Sequence, residues 1–127
     1  EKPDEELAQR VNETEADVAI ELHFNAFKDP AAEGSEMLYY RDSEDGRDLA
    51  DYLLLKTTNA LDTRTRGLVP KTNYPFLFLT KMPAVICEPA FGSNIEDAWK
   101  LITRQPDLLR AYREALKLYF NKKDLLP

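Results

Sequence analysis

The stretch Pro83-Ala84-Val85-Ile86-Cys87-Glu88-Pro89 constrains this chain more than any other. An apolar run that ends in an acid and a proline reads as a central strand over residues 84–88, covered on both faces. Such a strand needs partner strands beside it and helices above and below. The rest of the chain offers both.

Residues 17–25 alternate with period two. Val18, Ile20, Leu22 and Phe24 point one way, and Ala19, Glu21, His23 and Asn25 the other, which predicts a strand. Residues 28–35 are a loop punctuated by Pro30 and Gly34, and residues 36–40 are an aromatic-rich second strand. Residues 43–61 predict a helix. Leu49, Leu53 and Ala60 help to form its buried stripe, with Leu54 and Leu61 on the flank. Pro3-Asp4 followed by Leu7 and Val11 predicts a short helix with Asp4 as N-cap.

Residues 62–75 read as a long loop carrying Arg64, Arg66, Gly67, Pro70 and Pro75, and residues 76–79 as a short strand. Ser93-Asn94-Ile95-Glu96 has the form of a capping box, starting a helix that runs to about Arg104. Pro106-Asp107 restarts a helix whose apolar face holds Leu108, Leu109, Tyr112, Leu116, Tyr119 and Phe120. Helices alternate with strands, so the expected class is α/β, with a mixed, mainly parallel twisted sheet flanked by helices. The 127 residues are expected to form a single domain.

Composition excludes several functions. The net charge is -6, and the basic residues are scattered among acids, so nucleic acid is not an expected partner. No apolar run approaches the ~20 residues of a membrane span. One cysteine, Cys87, allows neither an internal disulfide nor a Cys-rich zinc site. One histidine, His23, means that a metal site built on this chain alone must add carboxylates to it.

Two residues stand out as chemistry-bearing. His23 lies near the C-terminal end of its strand, on the same face as Glu21 and Asn25, and ligands in open α/β sheets gather at such ends. Imidazole is a common zinc ligand with a polar partner on its other nitrogen. The alternative for His23 is a structural, hydrogen-bonded histidine. Glu88 closes a buried run, where desolvation raises a carboxyl's proton affinity and suits it to proton transfer near neutral pH. The alternative for Glu88 is a strand-end glutamate turned to solvent. Cys87 should face away from Glu88 into the core. Arg66 could meet a carboxylate-bearing peptide or sit solvated in its loop. Tyr39, Tyr40 and Trp99 read as core or sheet-face aromatics.

Taken in order, these segments resemble the catalytic domain of zinc-dependent N-acetylmuramoyl-L-alanine amidases. The resemblance rests on Ala16-Asp17-Val18-Ala19-Ile20-Glu21-Leu22-His23-Phe24-Asn25-Ala26, on Gly34-Ser35-Glu36 before Tyr39-Tyr40, and on Arg66-Gly67. It ends on Met82-Pro83-Ala84-Val85-Ile86-Cys87-Glu88-Pro89-Ala90-Phe91-Gly92-Ser93-Asn94, whose wording around Glu88-Pro89 and Gly92-Ser93-Asn94 looks closer to phage and prophage members. It runs from roughly residue 5 to the C-terminal helix.

The resemblance implies hydrolysis of the amide between N-acetylmuramic acid and L-alanine in peptidoglycan. It implies Zn2+ as cofactor, His23 as a zinc ligand and Glu88 as the catalytic glutamate. Glu21, Asn25 and Arg66 are candidates for substrate contact or for support of the ligands. The work would be done at the cell wall, in the periplasm or outside the cell, or from a host cytoplasm if the protein is phage-derived. The family's zinc site takes two histidines and one glutamate. Its first histidine and its glutamate lie upstream of the matching region, so the N-terminal part of the domain is expected to be absent here. Two other readings fit the same residues. One is a chain that keeps the fold without catalysis. The other is a different α/β metallohydrolase, related to zinc carboxypeptidases.

Overall fold

A computed structural model describes residues 2–126. The elements are α1 (Lys2–Glu13), β1 (Ala19–Leu22), β2 (Ser35–Tyr40), α2 (Glu44–Leu61), β3 (Thr65–Lys71), α3 (Pro75–Phe78), β4 (Ala84–Glu88), α4 (Ile95–Thr103) and α5 (Gln105–Lys122). The strands form one four-stranded sheet in the order β1-β4-β2-β3. β1 pairs parallel with β4, β2 parallel with β3, and β2 antiparallel with β4. The expected class, a mixed and mainly parallel sheet flanked by helices, is what the chain adopts.

β4 is the apolar run, and it lies inside the sheet with a partner on each edge. Its residues alternate between two cores. Val85 and Cys87 join Met37 and Tyr39 beneath Leu49, Ala50 and Leu53 of α2 and Ala115 and Tyr119 of α5. Ala84 and Ile86 join Ala19 and Leu38 beneath Phe76 and Leu77 of α3, with Leu7 and Val11 of α1 packed against them. The molecule is therefore three layers, helices over sheet over helices. Removing one large side chain from either core, as in Leu53→Ala, costs about 2–5 kcal/mol. Cys87 is a fully buried free thiol, as expected for a core residue, and burial pushes its proton affinity far up.

Several sequence expectations need correction. The supposed loop over residues 62–75 contains the strand β3. Gly67 and Pro70 disguise it, and an edge strand tolerates both because one of its sides has no ladder to maintain. Residues 76–79 are not a strand. Pro75 at the first helical position presets the backbone for the single turn of α3. The strand expected over residues 17–25 is shorter, ending at Leu22. Leu22 and Phe24 continue its apolar alternation but are exposed. The helix after residue 92 is capped by Asn94, not Ser93, through an Asn94 side-chain oxygen that accepts from Asp97 N–H.

Smaller differences follow from the same packing. Asp4 lies in the first turn of α1 rather than before it, since the helix starts at Lys2. Leu54 and Leu61 are buried with Leu49 and Leu53, so the inner face of α2 is broader than the expected stripe. Tyr39 is a core aromatic, whereas Trp99 faces solvent, as does Leu109 of α5. Among the described residues, no helix is long and apolar enough to cross a membrane.

Candidate active site

The site sits where β1 and β4 end and β2 begins. Parallel strands in register send equivalent residues to the same face, and Ala19, Ile20, Glu21 and Leu22 pair with Ala84, Val85, Ile86 and Cys87. The chain after β1 stays beside the chain after β4. His23 N–H donates to the Cys87 carbonyl at 2.9 Å, Asn25 N–H to the Ala90 carbonyl at 3.0 Å, and Gly92 N–H to the Asn25 carbonyl at 2.8 Å. Glu21 and His23 thus belong to the sheet face that carries Ile86 and Glu88. The antiparallel ladder adds Glu36, which stands directly opposite Glu88. The face that is apolar under α3 becomes acidic at this end.

Glu88 is half-buried, and its carboxyl is pushed up to about 8 from an ordinary value of 4.5. Burial is the largest cause. Next come a hydrogen bond with Glu36 and the repulsion of the Glu36 charge, which outweigh the attraction of Lys71 and Arg66. The Glu36 carboxylate is held on both oxygens. Arg66 Nε lies 3.2 Å from Oε1, and Asn25 Nδ2 donates to Oε2 at 3.1 Å. Arg66 also stacks over the Phe91 ring at 4.9 Å and donates to the Glu33 carbonyl at 3.4 Å. A carboxyl with this proton affinity can take a proton from water and return it near neutral pH.

His23 stands at the rim, with Nε2 3.4 Å from Glu21 Oε1 and its side chain 45% exposed. It borders an apolar hollow of about 310 Å³ lined by Leu22, Phe24, Leu101, Leu108, Leu109 and Tyr112, among others. The structure brings His23, Glu21, Asn25, Glu88 and Arg66 to one end of the sheet. Arg66 reaches it from β3, not from a loop, and it is engaged with Glu36 there.

Three contributors were not singled out from sequence. Glu36 is one. Its place opposite Glu88 depends on an antiparallel pairing that no local pattern reveals. Asp97 is another. This buried carboxylate accepts from Gly34 N–H at 2.8 Å and Phe91 N–H at 3.0 Å, clamping the loop before Glu36 to the loop after Glu88. Ser35 is the third, donating to the Pro89 carbonyl at 2.6 Å. Gly34-Ser35-Glu36 was the available signal, a glycine leading into a strand that opens with two polar residues.

A catalytic zinc takes three protein ligands and an open position. Among the described residues, no group of three His, Cys, Asp or Glu could hold a metal ion. The donor set at this end of the sheet is one imidazole with carboxylates that are already paired. It does not by itself fit that ion.

The family model described as N-acetylmuramoyl-L-alanine amidase matches residues 3–117. The amidase LytC of Bacillus subtilis (strain 168) is 36% identical over 101 residues, which cover 75% of this chain and 20% of LytC. A solved N-acetylmuramoyl-L-alanine amidase from Clostridium difficile 630 superposes with a TM-score of 0.86 at 27% identity, covering 93% of this chain and 65% of that one. The catalytic domain of the CD27L endolysin, which targets Clostridia difficile, superposes with a TM-score of 0.76 at 27% identity, covering 89% of this chain and 63% of that one. The chain thus spans a fifth of LytC and under two thirds of each of these solved structures.

Proposed function

Because the chain belongs to the N-acetylmuramoyl-L-alanine amidase family, we propose that it takes part in hydrolysing the amide between N-acetylmuramic acid and L-alanine in peptidoglycan, with Glu88 as the acid/base. The observation that carries this is the Glu88 carboxyl, placed at the strand ends opposite Glu36 and pushed up to about 8. Ionised Glu88 takes a proton from the attacking water. The water oxygen bonds to the amide carbon, and the protonated Glu88 then delivers the proton to the departing L-alanine nitrogen. The products are a free lactyl carboxylate and a free L-alanine amino terminus.

By the family resemblance, His23 would be one ligand of a zinc ion completed by donors from elsewhere, and such an ion would supply polarisation of the amide carbonyl. The Glu21 carboxylate 3.4 Å from its ring would fix the ring's orientation. The other ligands of such an ion are not a group that the described residues supply. The steps assigned to this chain are therefore orientation and proton transfer.

The test is Glu88→Gln in the active protein, followed by the L-alanine amino termini released from purified peptidoglycan. General acid–base catalysis contributes about 10²–10⁴-fold, so a loss of at least about 100-fold is expected. Release at the wild-type rate would remove Glu88 from the mechanism. Bound zinc, measured by elemental analysis, is expected to fall in His23→Ala. Unchanged zinc would remove His23 from the ligand set.

A further inference from the structure

We propose that Glu36 is a positioning residue for Glu88, holding its carboxyl across the β2–β4 ladder from a seat built by Arg66 and Asn25. This deepens the amidase reading and rests on Glu88 being the acid/base. The two glutamates are register partners in an antiparallel pair, so their side chains leave the sheet on the same face. Like charges directly opposite one another destabilise a sheet. A carboxyl and a carboxylate sharing one proton avoid that cost and gain a short, directional hydrogen bond. Glu36 and Glu88 face one another across the ladder, and Glu36 helps to push the Glu88 carboxyl up.

The surroundings seat Glu36 from two sides. Glu36 receives Arg66 from β3 on one oxygen and Asn25 from beyond β1 on the other. Arg66 is itself pinned by the Phe91 ring and the Glu33 carbonyl. Two separate parts of the chain thus converge on Glu36 and hold its side chain in place. Glu88 is left as the partner that holds or releases the proton, with its orientation set by a fixed neighbour.

β2 offers Glu36, while β3 offers Arg66 and Lys71, whose charges both act on Glu88. On the β1 side the same face carries Glu21 and His23. α3, packed on this face further along the sheet, has no titratable side chain. A plain surface ion pair between Arg66 and Glu36 would need no acid opposite.

The experiment follows the Glu88 side-chain carbon by ¹³C NMR through a pH titration of wild type, Glu36→Gln and Glu36→Ala. The kcat and KM of the active protein are measured alongside. Glu36→Gln is nearly isosteric and keeps an acceptor for Arg66, so it carries the test if Glu36→Ala fails to fold. Losing the Glu36 charge should lower the Glu88 midpoint by more than one unit, over about tenfold in proton affinity. It should also lower kcat about tenfold or more while KM stays within about twofold.

An unchanged midpoint in Glu36→Gln overturns the proposal, even if the variant is less stable. A lowered midpoint with unchanged kcat overturns it too. If Glu88→Gln alone retains hydrolysis, the acid/base reading has failed, and the titration still reports separately whether Glu36 holds Glu88.

Discussion

Replacing Asp97 by alanine should be among the most damaging single changes in this chain. Asp97 is 1% exposed, and its Oδ2 accepts from Gly34 N–H at 2.8 Å and Phe91 N–H at 3.0 Å. Hydrogen bonds to a charged group contribute about 1.5–3 kcal/mol each, and a buried donor left unpaired costs about 1–3 kcal/mol. Asp97→Ala orphans two donors at once. It keeps the Asn94 cap, which uses the backbone of residue 97. The expected loss is about 3–5 kcal/mol. Asp97→Asn retains one side-chain oxygen without its charge and should lose about half as much. Urea unfolding followed by circular dichroism measures both. With a slope of about 2 kcal/mol/M, the alanine midpoint should fall by about 2 M. Losses below about 1 kcal/mol in both variants would refute the clamp. Gly34 and Phe91 lie two residues before Glu36 and three after Glu88, so the same clamp keeps the two carboxyls in register.

Two further outcomes can be checked. Gly34 has φ +113°, and an added Cβ would meet the Arg64 carbonyl oxygen at 2.6 Å, whereas Gly67, with φ +97°, faces open space. Gly34→Ala should therefore cost more than the ~1–3 kcal/mol of backbone strain that Gly67→Ala incurs, and equal losses on thermal unfolding would contradict this. For Glu88, folding raises the carboxyl from 4.5 to about 8, so the folded chain binds the proton more tightly and stability falls as pH rises between those values. Glu88→Gln should match wild type near pH 4 and exceed it at pH 9, and parallel stability–pH curves would refute the shift.

How much was legible follows from what each element depends on. β4 was legible because an unbroken apolar run has nowhere to go but between two cores. α2 was legible from its periodicity, while Ser43, placed inside the expected helix, turns out to cap it. β3 was hidden because Gly67 and Pro70 oppose strand propensity, and only its pairing with β2 makes residues 65–71 extended. α3 was hidden because four successive apolar residues have no helical period, and Pro75 alone argued for a turn. The cap of α4 was misplaced by one residue, since Ser93 and Asn94 can both cap. Asn94 caps through its bond to Asp97, while the Ser93 hydroxyl accepts from Phe27 N–H. Glu88 and His23 could be named because each ends an apolar or alternating run. Glu36 could not, since its role is created by a strand partner far away in sequence.

His23 and Glu88 share a sheet face, but the fold supports them to different degrees. The groups that set the proton affinity of Glu88 all lie within the described residues, namely the covering core, Glu36, Arg66 and Lys71. The seat under Glu36 is built by Arg66 of β3 and Asn25 beyond β1, with Phe91 and Glu33 holding Arg66 in turn. His23 is positioned by one backbone bond to Cys87 and faces one carboxylate at 3.4 Å. A zinc ion would need further donors brought to that ring. The raised proton affinity of Glu88 and any metal binding at His23 therefore rest on different parts of the fold. The first is written into the β2–β4 ladder and should persist wherever that ladder folds. The second depends on what else is brought to the exposed rim beyond β1.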